Sequence, residues 1–163
     1  IEKHIADDVR TAGRAAVKSF GVKSRFVHFE FFRLTQDHAY LGKRGRIIGL
    51  EVNYRPSGGF TPDMINYACS TDVYKDWADM VAFDRLTKEE YPDKYYCVSA
   101  GCRKEKHYLH SYEEVMAAYK DDIMMTTELP EVLASAMGDR LYLARFAEKE
   151  DMDAFISYVF ATA

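Results

Sequence analysis

The chain has 163 residues, 48% apolar, 29% charged and 14% aromatic, which suits a folded globular protein of one domain or two small subdomains and excludes a disordered one. A net charge of -4 and a pI of about 5.7 argue against nucleic-acid and anionic-membrane partners, which call for a basic face. No apolar run approaches the roughly 18 residues of a membrane span.

The chain opens at Ile1 without a methionine and reads as starting inside a helix. From Ile5 to Phe20, residues Ile5, Val9, Ala12, Ala16 and Phe20 recur at helical spacing, with Asp7, Asp8, Arg10, Arg14 and Lys18 largely outside the stripe. That pattern predicts an amphipathic helix, and Gly21 is placed to end it. Arg25 to Leu34 (RFVHFEFFRL) is aromatic-rich and short, the mark of a strand. A polar stretch with a turn at Gly42 to Gly45 follows, then a second strand from Ile47 to Tyr54 (IIGLEVNY). Arg55-Pro56 ends this strand and Ser57-Gly58-Gly59 makes a flexible loop. Two strands so close predict an antiparallel hairpin.

Pro62 to about Arg85 reads as two helices broken near Ser70-Thr71-Asp72, with Asp72 or Ser70 capping the second and Val73, Trp77, Met80 and Val81 facing inward. The best internal boundary lies near Leu86 to Asp93, where charge and proline cluster. Lys94 to Cys102 and Lys106 to His110 predict a hairpin around Arg103-Lys104-Glu105. Ser111 with Glu114 three residues on is a capping box opening a short helix to Tyr119. Ile123 to Thr127 and Arg140 to Phe146 read as strands, Pro130 to Gly138 has no clear pattern, and Glu148 to Phe160 is a closing helix. The class is α+β, built on antiparallel hairpins with flanking helices rather than on βαβ repeats.

The informative feature is where the acids sit. Glu30 lies among Phe29, Phe31 and Phe32, and Glu51 between Leu50 and Val52, so both are expected deep in apolar strands. A buried carboxylate needs a cationic partner or a metal. Side chains alternate along a strand, so His28, Glu30 and Phe32 share one face, as do Glu51, Asn53 and Arg55. If Leu34 pairs with Ile47, Glu30 stands opposite Glu51. Two like charges facing each other call for something positive between them. Hard oxygen donors of this kind suit Mg²⁺ or Mn²⁺ with substrate phosphates. Arg55 is suited to a transferring phosphoryl group, and the Ser57-Gly58-Gly59 backbone to close approach by an anion. The alternative is a hairpin whose acids pair with Arg33, Arg46 or Arg55 on an exposed face.

FVHFEFF followed by LEVNYRPSGG resembles the C-terminal part of the ATP-grasp fold, most of all the branch of biotin carboxylase and the carbamoyl-phosphate synthetase large chain. The resemblance covers about residues 1 to 85. By position, His28, two residues before the strand acid, either touches substrate or nucleotide or packs as a strand histidine, and Ser57, Gly58 and Gly59 lie toward an anionic substrate. The resemblance implies that Glu30, Glu51 and Asn53 hold Mg²⁺ (or Mn²⁺) against ATP phosphates and that Arg55 lies at the reaction centre. It further implies a carboxylate- or bicarbonate-activating ligase working through an acyl phosphate. On this reading residues 1–88 are the C-terminal part of the ATP-grasp domain and 89–163 a small α+β appendage that helps assembly. The family's lysines and glycine-rich phosphate loop lie in an upstream subdomain absent from this sequence, so the chain is expected to be the C-terminal portion of a longer enzyme and inactive alone.

Three cysteines without a C-x-x-C pair point to reduced thiols and a cytoplasmic protein. His107 and His110 beside Cys97 and Cys102 match no zinc spacing. The basic triplets Lys43, Arg44, Arg46 and Arg103, Lys104, Lys106 fall at turns and read as solvated tips. Tyr95, Tyr96, Tyr108, Tyr112 and Tyr119 read as core or interface, and Cys69 as a small buried apolar group. A second class of function stays open: a non-catalytic interaction or homo-oligomerisation domain with vestigial acids. Binding of Mg-ATP separates the two.

Overall fold

The computed structural model describes residues 1–85 and 94–162, so the boundary expected near Leu86 to Asp93 lies outside the described residues. The described elements are α1 (Asp7–Ser19), β1 (His28–Arg33), β2 (Ile47–Asn53), α2 (Thr61–Cys69), α3 (Val73–Phe83), β3 (Tyr96–Cys102), α4 (Tyr112–Ala118), β4 (Ile123–Glu128), α5 (Glu131–Met137), β5 (Arg140–Phe146) and α6 (Lys149–Val159). They confirm an α+β class with small antiparallel sheets. Two compact units are formed, one of residues 4–62 and 72–85, the other of residues 1–3, 63–71 and 94–162.

In the first unit β1 and β2 make a two-stranded antiparallel sheet. Helix α1 stops as its sequence predicts. Gly21 takes φ +60°, its N–H reaches the Lys18 carbonyl at 3.2 Å, and the Val22 N–H reaches Val17 at 3.1 Å, a Schellman motif. The helix is anchored to the hairpin at both ends: Arg33 Nη2 donates to Asp8 Oδ1 at 2.9 Å, and the Tyr54 hydroxyl donates to the Phe20 carbonyl at 3.1 Å. Arg33 alternates with Glu30 and Phe32 along β1, so α1 backs the sheet face that carries Phe29, Phe31 and Val52. The acids stand on the other face.

The Asp72 side chain caps α3, accepting from the N–H groups of Tyr74 and Lys75 at 3.1 and 3.0 Å. This helix departs from its expected orientation. Met80 is buried as expected, but Trp77 and Val81 are 47% and 69% exposed, and Asp76 and Asp79 are buried in their stead. Its inner face follows Asp76 to Met80, one helical turn, rather than the wider apolar stripe.

The second unit is a three-stranded antiparallel sheet in the order β3-β5-β4. The central strand β5 is buried on both faces. Tyr142, Ala144 and Phe146 join Val115, Met152, Phe155 and Val159 in the core, with Tyr112 and Tyr119 packed against it. On the other face Arg145 Nη1 donates to the Tyr67 carbonyl at 3.5 Å and its guanidinium lies 4.6 Å over the Tyr95 ring. The Ser111–Glu114 capping box forms as expected, with bonds of 2.8 and 3.2 Å. Pro130 to Gly138, unreadable in sequence, contains α5, whose end lies so close to β3 that a Cβ on Gly101 would come within 2.0 Å of the Met137 carbonyl oxygen.

Two expectations fail here. Lys106 to His110 does not pair with β3; Leu109 donates to the Ala161 carbonyl at 2.8 Å and Tyr108 bridges Thr162, while β3 takes the more apolar β5 as its partner. Nor does the chain start inside a helix. Ile1 lies along β3, exchanging hydrogen bonds of 2.6 and 3.0 Å with Cys97, because an edge strand has backbone groups to satisfy.

Candidate metal and phosphate site

The hairpin register places Glu30 opposite Glu51, Phe29 opposite Val52 and His28 opposite Asn53. Its route differs from the simple pairing of Leu34 with Ile47. Ile47 pairs with Arg33 and Gly49 with Phe31, and a bulge between Glu30 and Phe31 then leaves Leu50 as the extra residue. Without that insertion Glu30 would face Leu50, and Glu51 would point toward α1. The bulge therefore brings both carboxylates, Asn53 and His28 to one face.

The expected depth of burial is not observed. The Glu30 side chain is 41% exposed and Glu51 is exposed, since this face of a two-stranded sheet is not covered by α1. His28 Nε2 lies 3.4 Å from Glu30 Oε1. Among the described residues no arginine forms a salt bridge with either acid. Arg33 is taken by Asp8, whose carboxyl it pulls down to about 2 chiefly by hydrogen bonding, and Arg55 Nη1 donates to the Pro56 carbonyl at 3.0 Å. The arrangement in which arginines neutralise the pair is thus not the one adopted.

Two buried polar atoms on the same face, His28 Nδ1 and Asn53 Nδ2, have no hydrogen-bond partner among the described residues. Buried groups of this kind are normally satisfied. A free amide N–H suits an acceptor such as a phosphate oxygen, and facing carboxylates beside an amide oxygen suit a hard divalent cation. The residues fit the group expected of them. No gathering of three or more His, Cys, Asp or Glu side chains able to hold a metal occurs among the described residues.

Beyond β2 the chain leaves the sheet at Tyr54. Ser57 is half-buried, Gly58 and Gly59 are exposed, and Gly59 takes φ +59°, where a side chain is disfavoured. The Thr61 N–H reaches back to the Gly58 carbonyl at 3.4 Å, closing the loop at the start of α2.

No protein-family model matches the sequence, and no curated protein does. Among solved structures, the crystal structure of phosphoribosylglycinamide synthetase from Anaerococcus prevotii superposes with a TM-score of 0.60 at 14% identity. The match covers 95% of this chain and 41% of that one. The likeness supports the ATP-grasp fold. It is a likeness of fold, and it does not single out the biotin carboxylase and carbamoyl-phosphate synthetase branch. This chain spans less than half the length of that synthetase.

The sequence alone missed two features of the site: the Leu50 bulge, which has no composition signal, and the unpaired nitrogens of His28 and Asn53. No helix is long and apolar enough to cross a membrane among the described residues. Cys69, Cys97 and Cys102 are all free thiols.

Proposed function

We propose that this chain carries one side of the nucleotide site of an ATP-dependent ligase that activates a small carboxylate, or bicarbonate, as an acyl phosphate. The observation that carries this reading is the cross-strand placement of Glu30 against Glu51 with Asn53 on the same face. Those three residues would hold Mg²⁺ or Mn²⁺. When bound, such an ion neutralises phosphate charge and favours phosphoryl transfer.

The chain's own residues supply the remainder. His28, 3.4 Å from Glu30, orients that carboxylate, and its partner-less Nδ1 faces the same side as the Asn53 amide. Arg55, two residues past Asn53 and held among the described residues by the neighbouring Pro56 carbonyl, would swing onto a transferring phosphoryl group. Backbone N–H groups of Ser57, Gly58 and Gly59 offer an anion close approach. Donors for the rest of the nucleotide would come from a further part of the same protein, so this chain alone is not expected to turn over. A cytoplasmic setting agrees with the free thiols.

The test is Mg²⁺-dependent ATP hydrolysis by the complete protein. Glu51→Gln is expected to abolish it; full retained activity overturns the assignment. A second reading, a non-catalytic association domain, draws support from exposed Phe32, Leu50, Trp77 and Val81. Absence of Mg-ATP binding by the complete protein would favour it.

A further inference from the structure

The Arg103 to Lys106 turn reads in sequence as a solvated tip. In the structure it forms one wall of a cavity of about 250 Å³ within the second unit. The floor is core: Val115, Tyr142 and Val159 are 2%, 3% and 1% exposed. On one side the Arg140 guanidinium lies 4.1 Å over the Tyr112 ring. Four formal cations line the space, Arg103, Lys104, Lys106 and Arg140, against two carboxylates, Glu128 and Asp139, in a chain that is acidic as a whole.

Both carboxylates are already engaged. Glu128 Oε1 accepts from Arg140 Nη2 at 2.6 Å, and Asp139 Oδ2 from the Lys104 backbone N–H at 2.8 Å. Arg103 is engaged too, donating to the Ala134 and Ser135 carbonyls at 3.1 and 3.0 Å. Its backbone N–H donates to the Tyr108 hydroxyl at 3.1 Å, and the Lys106 N–H returns to the Arg103 carbonyl at 3.1 Å. The turn is therefore held in place before any ligand arrives, which lowers the ordering cost of binding. The Lys104 and Lys106 ammonium groups make no salt bridge among the described residues.

We propose that this cavity binds a small organic anion, a carboxylate or a phosphate monoester. Its acid group meets Lys104, Lys106 and the open side of Arg140, and its carbon skeleton lies against Tyr108, Tyr112 and Val159. The volume falls just below the roughly 300–1,000 Å³ of common ligand sites, which admits a metabolite-sized acid and excludes a whole nucleotide. The site is separate in sequence and chemistry from the Glu30–Glu51 hairpin and does not depend on the ligase reading.

The experiment is an NMR titration of the isotope-labelled full chain with benzoate and with phenyl phosphate at constant ionic strength. At least one is expected to saturate with a Kd of about 1 mM or tighter, shifting the amides of Arg103 to Lys106 and of Arg140. Saturation by benzoate alone assigns a carboxylate, and by phenyl phosphate alone a phosphate. A Lys104→Ala, Lys106→Ala double variant is expected to weaken binding about tenfold or more with its melting temperature unchanged, since both side chains are exposed. Lys18→Ala, on α1, is expected to leave it untouched. Failure of both probes to saturate, or equal binding by the double variant, overturns the proposal.

Discussion

Glu30 and Glu51 face each other across two adjacent strands on a surface that no arginine neutralises among the described residues. Like charges in directly opposed positions oppose strand pairing, and here they are kept together by a bulge that has to be built for the purpose. In the metal-free protein, Glu30→Gln or Glu51→Gln is therefore expected to raise stability, by about 0.2–1 kcal/mol on the scale of cross-strand pairs. Mg²⁺ or Mn²⁺ should stabilise the wild-type chain against heat and leave both variants unmoved. Thermal melts with and without the ion read this directly, and a variant less stable than wild type without metal counts against the like-charge account.

Asp8 and Arg33 tie the start of α1 to the hairpin, and the guanidinium holds the Asp8 carboxyl at about 2, below its usual 3.8. A carboxyl lowered on folding adds stability above its unfolded value, and that stability is lost as pH falls toward 2. Melting temperature measured across this window should fall with acidification. In Asp8→Asn the slope between about 4 and 2 should be shallower; an unchanged slope would show that other carboxylates carry the acid response.

Cys97 is buried beside Ile1, and burial pushes its thiol up to about 11. Only the thiolate is a good nucleophile. Alkylation by iodoacetamide near pH 8 should leave Cys97 the slowest of the three thiols, with peptide mass analysis giving the order. Because the folded value is raised, the contribution to stability is present below about 9 and fades as pH climbs toward 11.

Phe155 is fully buried and meets Tyr119 edge-to-face at 5.0 Å and Phe146 at 5.4 Å. Phe155→Ala should cost about 3–5 kcal/mol in denaturant unfolding, the usual range for an aromatic truncated in a core. Gly101→Ala should also destabilise, by about 1–3 kcal/mol, since its new methyl meets the Met137 carbonyl oxygen. A neutral Gly101→Ala would mean that α5 shifts freely away from β3.

Local chemistry was legible in the sequence by itself. Gly21 ends α1, Asp72 and Ser111 cap their helices, and Arg140 to Phe146 is a strand, because each depends on residues within a few positions of one another. The alternation that brings Glu30, Glu51 and Asn53 to one face was also readable, as was the resemblance from which their proposed role comes. Tertiary structure decided the rest. The Leu50 bulge corrects a one-residue offset in the pairing of Ile47, and it forms because the two strands must register as a pair, a constraint neither carries alone. Competition for β3 was settled by burial: β5 offers an apolar strand covered on both faces, so the 106–110 segment turns to the C-terminal residues and Ile1 takes the remaining edge. Exposure of the acids followed from the same source, since α1 covers only the opposite face of the hairpin, and which face a helix covers is set by contacts such as Asp8 with Arg33 that lie 25 residues apart.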